Sequence, residues 1–123
     1  TQLLWLNRIT GDESYWQSAY KLSHWFFGLN PHGIIFITGD SRYHVQHPHF
    51  RPLISQAAPK PYGLLAGGPN SVELKGDTAA APLFRKAPMQ VYIDDQDSWA
   101  TNEVAINWQA AWASYLSLLA HRQ

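Results

Sequence analysis

Between Pro52 and Val91 the sequence carries no helical periodicity of useful length. Pro52, Pro59, Pro61, Pro69, Pro82 and Pro88 punctuate it, together with Gly63, Gly67, Gly68 and Gly76. Proline fixes φ and removes a donor, and glycine costs entropy in any regular element, so this composition opposes long helices. Structureless connections in compact domains seldom exceed roughly 12–15 residues. A stretch this long is therefore either a functional loop or part of a scaffold whose remainder lies elsewhere. The segments on either side do read as helices, and they must find partners. Three helices and one long loop would leave many large aromatic side chains exposed.

The bulk numbers narrow the possibilities. The 123 residues suffice for one domain with a modest core. At 46% hydrophobic and 14% aromatic, with six Trp, the chain is too apolar to be disordered. Nine Lys and Arg balance nine Asp and Glu, leaving no basic field for nucleic acid. No apolar run is long enough to span a membrane. The absence of cysteine excludes disulfides and thiolate metal sites without fixing a compartment, so localisation stays open. The first residues, TQLLWLNRIT, lack the basic leader of a secretory signal and read as the middle of a helix. The expectation is one partial domain, residues 1–123, cut from something larger.

Leu3, Leu4, Trp5, Leu6 and Ile9 predict a helix that stops near Gly11. Ser14 and Gln17 have the spacing of a capping box. The stripe Tyr15, Ala19, Leu22 and Phe26 then predicts a second helix running to Gly28-Leu29-Asn30-Pro31. Gly33 to Gly39 is a short apolar run, either a strand or a buried extended segment. A last helix is expected from about Asn102 to near His121, with Val104, Trp108, Ala111, Trp112, Tyr115, Leu116 and Leu119 on its apolar face.

Two stretches carry candidate chemistry. In Ser41 to Pro52, His44, His47 and His49 could ligate a metal, but such sites need three or four converging groups and Pro48 holds the segment extended. A polar loop is the better reading, in which His49 and Arg51 offer a neutral ring and a planar fork to hydroxyls or a carboxylate. No metal or other cofactor is expected. The second stretch gathers Asp94, Asp95, Asp97 and Glu103 within ten positions around Trp99. Glu103 is expected near the start of the last helix. On pattern alone it is either a helix-capping acid or a general acid beside aromatic surface. The two readings pull apart: a helix start favours the ionised carboxylate, whereas a general acid must hold its proton. Apolar burial beside Trp99 and the neighbouring acids would favour the second.

Four motifs, in order, resemble the catalytic domain of glycoside hydrolase family 9, the cellulase and endoglucanase family. Gly28 to Pro31 followed by Thr38-Gly39 looks like its helix end and following loop. Pro48-His49-Phe50-Arg51 is similar to its Pro-His-x-Arg signature. Gly63 to Asn70, GLLAGGPN, resembles its glycine-rich stretch, and Asp94-Asp95 with Asn102-Glu103-Val104-Ala105 its acidic signature. The resemblance implies the C-terminal helices of an (α/α)6 barrel, mainly α, with a long irregular Pro/Gly-rich loop. It implies an inverting hydrolase of β-1,4-linked glucan with Glu103 as general acid, and His49, Arg51 and Trp99 binding the oligosaccharide or polysaccharide. It further implies that Asp94 and Asp95 form a supporting acidic loop. The base aspartate of the family lies in an N-terminal Asp-Ala-Gly-Asp-like segment that has no counterpart here, so the missing N-terminal part is an implied partner and the fragment alone is expected to be inactive. Trp99 stands where many members have Tyr, and Asn107-Trp108-Gln109-Ala110-Ala111 replaces a common Asp-Tyr-Asn-Ala-Gly. The latter looks more like a branch with cellobiohydrolases and exo-β-D-glucosaminidases, which would act on chitosan oligosaccharides. A non-catalytic helical module binding sugar or protein is the reading from a different class.

Overall fold

The computed structural model describes residues 1–56, 58–72 and 74–121. Helix α1 spans Gln2–Thr10 and ends on Gly11, as the sequence predicts. Helix α2 spans Glu13–Ser23. Its cap differs from the expected one: Asp12 accepts from the Ser14 backbone N–H at 2.9 Å, so the capping box built on Ser14 and Gln17 does not form. An aspartate cap two positions earlier meets an orphan donor of the first turn instead, with its charge favoured at the positive end of the helix. The Ser14 side chain first, and then its backbone N–H, hold the Asp12 carboxyl below its ordinary range. α2 ends at Ser23, five residues before the glycine predicted to stop it. Residues 24–28 continue as turns, with Leu29 N–H closing back on the His24 carbonyl at 2.9 Å.

The two-residue link at Gly11-Asp12 folds α2 back along α1, as short helix–helix connections do. Helix α5, Ile106–Ala120, packs against this pair. Thr1 Oγ1 donates to the Ala111 carbonyl at 3.2 Å and Tyr115 Oη to the Ala19 carbonyl at 3.1 Å. The buried centre is Leu4, Ala19, Trp112 and Tyr115, edged by Trp16, Phe26 and Leu119. The predicted stripe on α2 is thus rotated: Ala19 and Phe26 face inward, but Leu22 is 65% exposed. The α5 face is right at Trp112 and Tyr115, while Leu116 points outward.

The apolar run after α2 is a strand, β1 (Ile35–Thr38). It pairs in parallel with β2 (His44–Val45), matching Ile35 to His44 and Thr38 to Val45. On its other edge it takes up residues 63–66, through Thr38 N–H to Leu64 O and Ala66 N–H to Phe36 O, both 2.9 Å. Phe36, Val45, Ala66 and Tyr92 form the core beneath it, with Phe36 and Tyr92 edge to face at 4.9 Å.

Among its described residues the long Pro/Gly stretch holds one turn of helix, α3 (Arg51–Ile54), and two 3-10 turns at Ala81–Leu83 and Pro88–Gln90. It is pinned from within. Leu74, Ala80 and Val91 make a third small core. Asp77, 0% exposed, accepts from Ala80 N–H (2.7 Å), Ala100 N–H (2.7 Å) and Ser98 Oγ (3.0 Å). These bonds tie the stretch to helix α4, Trp99–Asn102. A loop with few apolar contacts stays in place when its backbone donors find buried acceptors.

Candidate active site

The last helix does not begin at Asn102. Residues 99–102 form the separate α4, and α5 starts only at Ile106. Glu103 therefore lies in a three-residue extended link, with φ −65° and ψ 146°, not in a helical first turn. The helix-capping reading of this residue falls with the boundary. The link is used as a strand. His49 N–H donates to Asn102 O at 2.9 Å, and Val104 N–H donates to His49 O at 3.1 Å. This is a parallel bridge between His49 and Glu103. Residues paired in this way stand one strand spacing apart, about 4.8 Å, and send their side chains to the same face. Imidazole and carboxyl are thus neighbours by backbone geometry.

The other edge of the link is covered by the glycine-rich stretch. Gly67 N–H donates to Glu103 O at 3.0 Å, and Gly68 N–H to Thr101 O at 2.8 Å. Both glycines are required. A Cβ on Gly67 would stand 2.8 Å from the Trp108 ring, and Gly68 has φ +89°. Gln109 on α5 clamps the same stretch, accepting from Leu65 N–H at 2.9 Å and donating to Leu65 O at 2.7 Å.

Asp94 anchors the third side. One carboxylate oxygen accepts from Gln46 N–H at 2.7 Å; the other accepts from His47 N–H at 2.9 Å and Asn102 Nδ2 at 3.0 Å. Asn102 is 0% exposed and also donates to His47 O at 2.7 Å, while Tyr92 Oη donates to its Oδ1 at 2.9 Å. Burial, with the nearby Asp94 carboxylate, pushes the Tyr92 phenol far above its ordinary value, so it stays a donor. Asp95 Oδ1 accepts from Asp97 N–H at 2.8 Å, and Asp95 O from Ser98 N–H at 3.0 Å. The turn so formed presents the Gln96 carbonyl to His49 Nδ1 at 2.6 Å.

Of the residues singled out in the sequence, His49 and Glu103 are brought side by side and both are half-buried. Arg51 opens α3 two residues further on and is exposed; Trp99 opens α4 and is 37% exposed. Neither the Glu103 carboxyl nor the Arg51 guanidinium has a hydrogen-bond or ion-pair partner among the described residues. The three histidines are used separately. His44 packs against Gly39, His47 is exposed, and His49 sits on Gln96. Among the described residues no three His, Asp, Glu or Cys side chains group as a metal site, and no helix is long and apolar enough to cross a membrane.

Asn102, Asp77 and Gln96 were not singled out. Asn102 had a signal, since it adjoins Glu103 in the acidic signature. Asp77 is a lone aspartate after a glycine, and Gln96 acts through its backbone, so neither has one. An apolar concavity lies elsewhere. It is a groove of about 430 Å³ between α1, α2 and α5, lined by Leu3, Leu22, Phe26, Leu65, Trp108 and Trp112 among others. It meets the acid link through Gly67, which donates to Glu103 O, and Trp108, which donates to Ala105 O.

An extended acid paired with a histidine, backed by a glycine-rich stretch and braced by an aspartate–asparagine cluster, defines a class that comparison with known families identifies. Residues 1–116 match the model of glycosyl hydrolase family 9, and the chain belongs to that family. Among similar proteins are a xyloglucan-specific endo-β-1,4-glucanase of Bacteroides ovatus and a cellulose 1,4-β-cellobiosidase of Acetivibrio thermocellus. The first is 38% identical over 111 residues, which is 89% of this chain and 18% of that protein. The second is 35% identical over 109 residues, 85% of this chain and 12% of that protein. The solved family 9 endoglucanase J30 superposes with a TM-score of 0.83 at 31% identity, over 98% of this chain and 23% of its own. A complex of a relative with a cellobiose-like isofagomine matches at 39% identity and a TM-score of 0.62, over 76% and 18%. The chain thus spans less than a quarter of these relatives. Helix is its dominant regular structure, and it fits the C-terminal portion of the (α/α)6 barrel implied by the resemblance.

Proposed function

We propose that this chain is the C-terminal, acid-bearing part of a catalytic domain that hydrolyses β-1,4-linked glucan with inversion. Glu103 protonates the leaving glycosidic oxygen. His49 and Arg51 bind the sugar at the reacting site, and Trp99 offers a partly exposed indole to a neighbouring sugar ring. The observation that carries this reading is the direct pairing of His49 with Glu103. It gives a proton donor and a hydroxyl-binding ring a common face without reliance on flexible side chains. The unpartnered Glu103 carboxyl suits a group that must reach a substrate, whereas Asp94, with three N–H donors on it, suits a brace.

Inversion needs a second carboxylate roughly 6.5–9.5 Å away to activate water on the opposite face of the ring. The acids nearest Glu103 in sequence are committed to the turn or exposed on it, so the base comes from a part of the parent domain outside these residues. The same commitments weaken the exo-glucosaminidase alternative: the Asp94 charge is already satisfied and is not free to meet a substrate ammonium. The relatives named for xyloglucan and cellulose favour a glucan.

The test is Glu103→Gln in the complete parent enzyme. On cello-oligosaccharides kcat should fall by about 10²–10⁴, the range for loss of a general acid or base. On an aryl glucoside whose leaving group needs no proton, the fall should be far smaller. Equal losses on both substrates would remove Glu103 from the role of acid.

A further inference from the structure

His49 has two ring nitrogens with different surroundings. Nδ1 lies 2.6 Å from the Gln96 carbonyl oxygen, and Nε2 has no partner among the described residues. A carbonyl can only accept, so in the neutral ring Nδ1 carries the proton and Nε2 is left with its lone pair exposed. The carbonyl is aimed by a turn that the Asp95 side chain closes on Asp97 N–H at 2.8 Å, with Ser98 N–H on Asp95 O at 3.0 Å. The His49 backbone is fixed independently by its two bonds to Asn102 and Val104. Ring and carbonyl therefore come from two separately held pieces of chain.

We propose that the Asp95–Ser98 turn is a positioning element that locks His49 in the Nδ1-protonated tautomer, making Nε2 an obligate acceptor for a sugar hydroxyl. Asp95 is the positioning residue, and it acts without touching substrate. This rests on the assignment of His49 to the sugar site. A sugar hydroxyl can donate or accept, so the tautomer decides the direction of the bond. A hydroxyl that donates to Nε2 gains electron density on its oxygen. That favours the oxocarbenium-like transition state over the ground state, so the effect falls mainly on kcat.

The experiment uses the complete parent enzyme with ¹⁵N-labelled histidine, the His49 signals being assigned by their loss in His49→Gln. The native enzyme should show a bare, acceptor-type Nε2 and a protonated Nδ1. Asp95→Ala should give mixed tautomers and a fall in kcat/KM of about tenfold, carried by kcat, the scale of one hydrogen bond. Asp95→Asn can still close the turn and should restore both readouts. Gln96→Ala, which keeps the carbonyl, should change neither. A protonated Nε2 in the native enzyme overturns the proposal, and so does an unchanged tautomer in a folded Asp95→Ala. If Asp95→Ala does not fold, the native spectrum and Asp95→Asn still decide. The Glu103→Gln leaving-group profile, measured in parallel, reports on the acid separately, so either idea can fail alone.

Discussion

The link around Glu103 and the face formed by α1, α2 and α5 are finished to different degrees. Around Glu103 the polar groups are met within the chain: Asn102, Asp94 and the backbone of residues 46–49, 67–68 and 101–104 bond one another, and Asp77 braces the neighbouring turn through Ala80, Ser98 and Ala100. The helical face instead leaves apolar surface open. Leu22 is 65% exposed beside a groove lined by Phe26, Trp108 and Trp112, and Ile106 at the head of α5 is 88% exposed. Hydrogen bonds are short-range and directional, so a site can be completed by residues that reach it. Burial scales with area and needs a second surface. The hydrogen-bonded frame around Glu103 can be read from this chain alone, but the packing of the helical face cannot.

Three changes would break or sharpen that contrast. Asp94→Ala should be the most damaging. It strands the N–H groups of Gln46 and His47 and one amide hydrogen of Asn102. The cost should be about 3–5 kcal/mol of stability by denaturant titration, since several bonds to a charged acceptor go at once. A loss below about 1 kcal/mol would mean that the cluster is not the internal frame described. Gly67→Ala should cost about 1–3 kcal/mol by overpacking against Trp108, and should lower activity of the parent enzyme because the same residue holds Glu103 O. Unchanged thermal stability would show that Trp108 yields freely. Leu22→Ser should be within about 0.5 kcal/mol in this chain alone, as for an ordinary surface site. In the complete enzyme it should cost about 1–2 kcal/mol if the groove is covered there. Equal small effects in both settings would show the groove to be plain surface.

The places where sequence reading missed are instructive. Glycine is a good cap, so the sequence places the α2 stop at Gly28, yet the helix ends at Ser23, where the chain turns so that the Phe26 carbonyl can accept from Phe36 N–H at 2.9 Å. A tertiary hydrogen bond decided it, not a local preference. The boundary before α5 was missed because Trp99 to Leu119 has near-continuous helical spacing. The break at 103–105 exists because His49 and Gly67 pair with the link from either side. Neither partner is adjacent in sequence, so no local pattern announces it.

The sequence by itself determined the three helices, a short apolar segment after α2 that could be strand or buried extended chain, the refusal of residues 52–91 to form long helix, and the motifs that mark the family. These rest on periodicity, proline and glycine, whose effects act within a few residues. Tertiary structure alone decided that Glu103 is extended and not helical, that it stands beside His49, that Asp94 and Asp77 are consumed as braces, and that a backbone carbonyl selects the histidine tautomer. Each of these depends on groups distant in sequence meeting within hydrogen-bonding distance, and a linear pattern holds no record of that distance.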